Sequence, residues 1–216
     1  AVPIFVDINI KYLMDVNSIK NKISKKTKAI MPVHLYGKAC EMDKIMEIAD
    51  QYSIPVVEDA AQSIGSKYKD KPSGSFGKVG CFSTHPLKNL NACGDGGFFT
   101  TNDREIYDKA EILRSHGLIS RDQSTNFGYV SRMDSVQAAI LNYRLNKLEE
   151  VLSKRRENAK FYFNHLNDKC ITLQFEKKYE FNTYHTFVIQ VSNRDKLKKF
   201  LLNKGVSTAI HYPIPI

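Results

Sequence analysis

One stretch constrains the fold more than any other. Residues 28–37 (KAIMPVHLYG) form an apolar run that Gly37 stops, and they are expected to be a strand. Met42, Ile45, Met46, Ala49 and Tyr52 then recur at helical spacing, which gives a helix with one apolar face. A second apolar run, residues 54–58, ends at Glu58 and Asp59. Strand, helix and strand at this pitch form a βαβ unit. Its crossover joins parallel strands, so the chain reads as α/β with a mainly parallel sheet flanked by helices. In such open sheets ligands collect outside the carboxyl ends of the strands. The residues just after each apolar run are therefore the first place to look for chemistry.

The remaining elements follow from local pattern. Residues 4–8 resemble a strand, and residues 16–24 are weakly helical. Residues 73–77 (SGSFG) are a turn, and residues 79–83 and 97–101 are strands. Asn102 and Asp103 cap a helix running to about Ser115. Residues 117–129 lack periodicity and are expected to be a loop. A long helix starts at Met133 or Asp134 and continues to about Leu152, followed by a second over residues 155–166. After Asp168 the texture changes. Strand 186–191, helix 194–204 closed by Gly205, and strand 206–212 read as the start of a small α+β C-terminal domain. The expected division is residues 1–133 as part of a large domain, 134–168 as connecting helices and 169–216 as a partial small domain. The abrupt start at Ala1 and end at Ile216 suggest a piece cut at both ends.

Composition excludes several classes. Apolar residues make up 42% and charged residues 25%, as in an ordinary globular chain. No apolar run is long enough to span a membrane, and no signal peptide is visible. Cys40, Cys81, Cys93 and Cys170 show no paired spacing. They read as reduced thiols of a cytoplasmic protein, with no metal site. The net charge of +9 raises a nucleic-acid surface. The basic clusters at 25–28, 154–156 and 196–199 are scattered, however, and read as solvated faces. Attraction of an anionic substrate is the milder functional reading.

The chemistry concentrates between Val56 and Gly97. Asp59 stands at a strand's carboxyl end. Such an acid usually caps the next helix, but held ionised it can also keep a pyridine nitrogen protonated. Gln62 lies one helical turn on and can bond a ring's phenolic oxygen. Lys88 follows an apolar strand and sits among Pro86, Leu87 and Leu90. A lysine is ordinarily a solvated surface residue. In apolar surroundings its ammonium form is disfavoured, which makes it a nucleophile and a proton shuttle. The Ser83 hydroxyl can bond a phosphate or be an ordinary strand-end group. Gly94, Gly96 and Gly97 permit close backbone approach. His34, His85, His185 and His211 admit structural and functional roles alike. Together these suit a cofactor that needs a Schiff base, a charged ring nitrogen and a held phosphate.

The phrase VVEDAAQSIGSKYKDKPSGSFGKVGCFSTHPLKNLNACGDGGFFTTND resembles the signature of the DegT/DnrJ/StrS family of sugar-nucleotide aminotransferases. FVDI, PVHLYG, LRSHG, SRMDSVQAAIL and IHYPIP extend the likeness over nearly the whole chain. The resemblance implies fold type I of the pyridoxal-phosphate enzymes, active as a homodimer with shared sites. It places the cofactor-bound catalytic lysine at Lys88, the pyridine-nitrogen aspartate at Asp59, the O3′ glutamine at Gln62 and the phosphate serine at Ser83. Family members that dehydrate carry His where Lys88 stands, so Lys88 favours transamination. Two departures stand out. The family's Gly-x-Asn-x-Arg motif has Val130 in place of Asn, and valine cannot donate that hydrogen bond. The family's opening segment, with its own phosphate contacts, is not in this sequence.

The expected function is transfer of an amino group from glutamate to a keto group on a nucleotide-linked sugar, with pyridoxal 5′-phosphate as cofactor. The family implies cell-surface polysaccharide, such as lipopolysaccharide O-antigen, or a glycosylated metabolite as the end use. No nucleic acid or membrane partner is expected. The rival readings are a truncated or degenerate non-catalytic protein of the same fold, a basic nucleic-acid-binding domain, and a sugar dehydratase of the same family.

Overall fold

The computed structural model describes residues 1–166 and 168–214. In chain order the elements are α1 (Val16–Ile19), α2 (Met42–Gln51), β1 (Val57–Asp59), β2 (Lys67–Tyr68), β3 (Lys71–Pro72), β4 (Val79–Ser83) and β5 (Gly97–Thr100). Then come α3 (Arg104–Leu113), β6 (Leu118–Ser120), β7 (Gln123–Ser124), α4 (Ser135–Leu145), α5 (Leu148–His165), β8 (Ile171–Thr172), β9 (Glu180–Phe181), β10 (Gln190–Val191) and α6 (Arg194–Asn203). Short 3-10 turns at Lys20–Lys22 and Leu35–Gly37 complete the set.

The central sheet has the order β1-β4-β5. β1 and β4 run parallel with Asp59 beside Cys81, while β4 and β5 are antiparallel with Ser83 beside Gly97. The βαβ expectation holds, with one modification. Residues 30–34 lie along β1 in parallel sense but do not form a regular strand. Ile30 N donates to Pro55 O, Val57 N to Ile30 O, Asp59 N to Pro32 O and His34 N to Asp59 O. The intervening donor is missing because Pro32 has no N–H, so the ladder is reduced to isolated bridges.

α2 forms because its apolar residues share one stripe. Met42, Ile45, Ile48 and Ala49 are buried there against Ile30, Ile54 and Val56. Burying one such large side chain contributes roughly 1.5–3 kcal/mol. Tyr52, expected on that face, is exposed instead, because the helix ends at Gln51. α3 begins as expected at Asp103, whose Oδ1 accepts from Glu105 N and Ile106 N. α6 closes as expected at Gly205 (φ +78°), where Gly205 N donates to Leu202 O and Val206 N to Leu201 O.

Several expectations are corrected. Residues 4–7 are not a strand. Asp7 O accepts from Asp15 N and Ile8 bridges Met14, but this pairing is too short to make a regular strand. The long helix breaks at Asn146 and Lys147, earlier than the periodicity placed the gap between helices, so α5 runs unbroken through Leu152 and Ala159, both buried. Residues 117–129 contain the β6–β7 hairpin. Residues 67–72, between β1 and β4, form the β2–β3 hairpin, whose strand β2 also pairs with β9. Of residues 186–191 only Gln190–Val191 pair, with β8, because Phe187 turns into an aromatic cluster with Tyr162 and Phe163. Residues 206–212 are not a strand. No helix among the described residues is long and apolar enough to cross a membrane.

Candidate active site

A cavity of about 450 Å³ opens at the carboxyl ends of β1 and β4. Gln62, Ser83 and Lys88 line it together, joined by His85, His185 and His211. Three of the four expected site residues therefore share one cavity. Asp59 does not line it, although its charge reaches Lys88.

Lys88 sits in the loop between β4 and β5, and that loop is firmly held. Lys88 N donates to His85 O at 2.8 Å, and Asn91 Nδ2 to Pro86 O at 2.7 Å. Leu90 and Ala92 are buried against Leu141 of α4. From α4, Arg144 donates to Asn91 O at 2.6 Å, and Gln137 Oε1 accepts from Cys93 N at 2.8 Å. Burial pushes the Lys88 ammonium below its ordinary pKa, and the Asp59 carboxylate works in the opposite direction. The result is an anchored amine that loses its proton more readily than a surface lysine.

Asp59 is fixed by its backbone on both sides. Its N–H donates to Pro32 O, its carbonyl accepts from His34 N, and its Oδ1 accepts from Ala61 N at 3.0 Å. One Asp59 carboxylate oxygen thus caps the following turn. Gln62 is oriented by Tyr36, whose N–H donates to Oε1 at 2.8 Å, so the amide NH₂ faces the other way and donates to Tyr212 Oη at 3.2 Å. Ser83 Oγ accepts from His85 N at 3.3 Å.

The histidines separate by environment. His34 is structural. It is fully buried, with Nε2 at 2.9 Å from Glu58 Oε2 while Nδ1 accepts from Cys40 N. Because Nδ1 accepts, the proton lies on Nε2 and the ring is neutral. Glu58 also accepts from Gly74 N, Phe76 N and Gly77 N. Burial opposes its charge, but the His34 hydrogen bond and these amides outweigh that and hold the carboxyl below the usual range. His85 is exposed, and its Nδ1 accepts from Leu87 N. His211 contributes its carbonyl, which accepts from Tyr36 Oη at 2.6 Å.

Sequence reasoning missed Glu58, Tyr36 and Tyr212. The GluAsp pair at the strand end was the available signal for the first. Positions 36 and 212 join the site only through tertiary contacts. Val130 lies away from the cavity, 66% exposed, bridged to Ser115. The four cysteines are free, with Cys40 buried and the others exposed. Among the described residues no cluster of His, Cys, Asp or Glu could hold a metal ion.

Known proteins share this arrangement of chain. A pleiotropic regulatory protein of Geobacillus stearothermophilus is 38% identical over all of this chain and 59% of its own length. A UDP-N-acetyl-3-dehydro-alpha-D-glucosamine 3-aminotransferase of Acidithiobacillus ferrooxidans is 40% identical over all of this chain and 58% of its own. Among solved structures, ntda of Bacillus subtilis with bound cofactor PMP superposes with a TM-score of 0.88 at 34% identity, over 99% of this chain and 50% of that one. The chain thus spans little more than half the length of the proteins it matches. Within that span, residues 1–216 match one family description from end to end. The lysine loop, the parallel strand ends and the full-length match agree: the chain belongs to the DegT/DnrJ/EryC1/StrS aminotransferase family.

Proposed function

We propose that this chain carries the cofactor-binding part of a pyridoxal-phosphate-dependent aminotransferase that moves an amino group from glutamate to the keto group of a nucleotide-linked sugar. The observation that carries the reading is the meeting of Lys88, Gln62 and Ser83 on one cavity, with Asp59 close enough to influence the Lys88 charge. The residues fit the cofactor. Lys88 supplies an amine of lowered proton affinity, Gln62 an amide NH₂ whose direction Tyr36 sets, and Ser83 a hydroxyl at a strand's carboxyl end. Asp59 supplies the negative charge suited to a ring nitrogen, with one oxygen left over from its backbone cap.

When bound, pyridoxal phosphate supplies an electron sink for the carbon that exchanges its amino group. The chain's own residues then position and move protons. Lys88 accepts a proton in its neutral form and returns it, a role its burial favours. Gln62 would hold the ring's phenolic oxygen through its NH₂. The anchoring of the Lys88 loop by Arg144 and Gln137 keeps the amine at one place through both proton transfers. Naming of a relative as a UDP-sugar aminotransferase supports the substrate class. The homodimer, the cytoplasmic location and a role in lipopolysaccharide O-antigen or other cell-surface polysaccharide belong to the same proposal.

The test is spectroscopic. Full-length protein with cofactor is expected to show a visible absorption band that glutamate converts to the aminated cofactor form. Lys88→Ala retaining both the band and full turnover would refute the assignment. A non-catalytic reading draws on the regulatory name of one relative and on Val130 at the usual Asn position. It predicts no conversion by glutamate.

A further inference from the structure

The wall of the cavity carries a side chain that the proposed chemistry leaves unused. His185 lines the cavity with Lys88. Its Nδ1 is buried and meets no hydrogen-bond partner among the described residues. A buried N–H without an acceptor is the costlier of the two ways to leave that nitrogen, so the proton belongs on Nε2. Burial, helped by repulsion from the neighbouring Lys88 and Arg155, pushes the imidazolium down to about 4. The ring is therefore neutral at physiological pH, with one N–H to offer.

The backbone beneath this ring is held to an unusual degree. Arg155 Nη1 donates to Tyr184 O and to His185 O, each at 3.2 Å. Thr183 N donates to Gly37 O at 2.9 Å. Tyr184 has φ +45°, a conformation costing on the order of 1–3 kcal/mol that persists only where surroundings enforce it. The segment also presses on Gly37 so closely that a Cβ there would lie 2.8 Å from His185 N. The cavity wall is meanwhile short of negative charge. Among the described residues Asp95 is the one acid lining it, its side chain is 96% exposed, and it lies near His85.

We propose that His185 contacts substrate, with Nε2–H donating to an anionic oxygen of a molecule bound beside Lys88. That oxygen belongs to the carboxylate of the amino donor or to the phosphate of the sugar nucleotide. The inference rests on the aminotransferase reading of the cavity and adds to it where the substrate is gripped. With the proton placed on Nε2, that N–H is the one the ring can offer to a ligand in the cavity His185 lines. The nearby Arg155 guanidinium favours an anionic partner over a neutral hydroxyl.

The experiment is calorimetric titration of full-length, cofactor-loaded protein with glutarate and, separately, with UDP, dTDP and GDP. Wild type is compared with His185→Phe and His185→Gln. A hydrogen bond to a charged group is worth roughly tenfold or more in affinity. His185→Phe is expected to lose about that much for one probe class, His185→Gln to recover part of it, and the class affected identifies the source. Equal binding of every probe by wild type and His185→Phe overturns the proposal, as does a wild type that binds no probe. A His185→Phe loss spread over all probes together with a lowered unfolding midpoint marks a structural role and also overturns it. An absent visible band in wild type sinks the aminotransferase reading, while the titrations still decide His185.

Discussion

The backbone N–H of Tyr36 donates to Gln62 Oε1 at 2.8 Å, and that contact decides which end of the amide faces the cavity. A backbone N–H can only donate, so the carboxamide oxygen must meet it and the NH₂ must point away. Gln62→Glu keeps the contact with Tyr36 but replaces the NH₂ with an oxygen that cannot donate. The expected result is cofactor affinity reduced about tenfold or more, from loss of a hydrogen bond to an anionic ring oxygen. Equilibrium titration of cofactor into the apo protein measures it.

Lys88 titrates under two opposed influences, burial lowering its pKa and Asp59 raising it. Asp59→Asn removes the negative neighbour, so the ammonium form is further disfavoured and the pKa falls again. The midpoint of Lys88 modification by an amine-acylating reagent, followed by peptide mass spectrometry across pH, is expected to move down. An unchanged or raised midpoint contradicts the coupling.

Glu58 is buried with its carboxylate facing four N–H donors, from His34, Gly74, Phe76 and Gly77. Glu58→Gln places an NH₂ where an acceptor is required and is expected to destabilise by about 3 kcal/mol, in the range for breaking a buried charged network. Denaturant unfolding measures this. The folded pKa lies below the ordinary value, so the contribution is present above the unfolded carboxylate pKa. It is lost as pH falls through the lower folded pKa. Wild type is therefore expected to lose stability toward acid more steeply than Glu58→Gln.

Gly37 has φ +88°, and a Cβ there would lie 2.5 Å from Thr183 Oγ1. Gly37→Ala therefore combines backbone strain with displacement of residues 183–185. A loss of at least about 1–3 kcal/mol is expected. Ligand binding through the adjacent His185 should weaken in parallel, as titration of the variant would reveal.

Ile45 lies on the inner face of α2 with no exposure. Ile45→Ala is expected to cost about 2–5 kcal/mol by denaturant unfolding. Lys44→Ala next door, on the exposed face, should stay within roughly 0.5 kcal/mol.

The parts of the fold legible in the sequence were those whose cause is local. Asp103 caps α3 through its own side chain, and Gly205 ends α6 through its own backbone freedom. β4 was legible because a short apolar run between turn residues has few alternatives. The losses came where a partner decides. Residues 4–7 have strand composition but find only the short Asp7–Asp15 pairing, and residues 186–189 lose their strand to the packing of Phe187. Pro32 was visible, yet its effect depended on β1 needing the missing N–H. In the site, Lys88, Gln62 and Ser83 were legible because β4 and the turn after β1 bring them together over a short stretch. Tyr36 and Tyr212 reach Gln62 from positions 26 and 150 residues away, a distance no local pattern records.

The β2–β9 pairing joins Lys67 to Phe181, roughly 110 residues apart. During synthesis the β2–β3 hairpin emerges long before its third strand exists. Its outer edge must wait, open, while α3, α4 and α5 are made. Closing so long a loop carries an entropic cost that only later contacts repay. Completion of this three-stranded sheet therefore waits for residues 180–181, and in the interval the exposed edge of β2 is the place where two nascent chains can pair with each other instead.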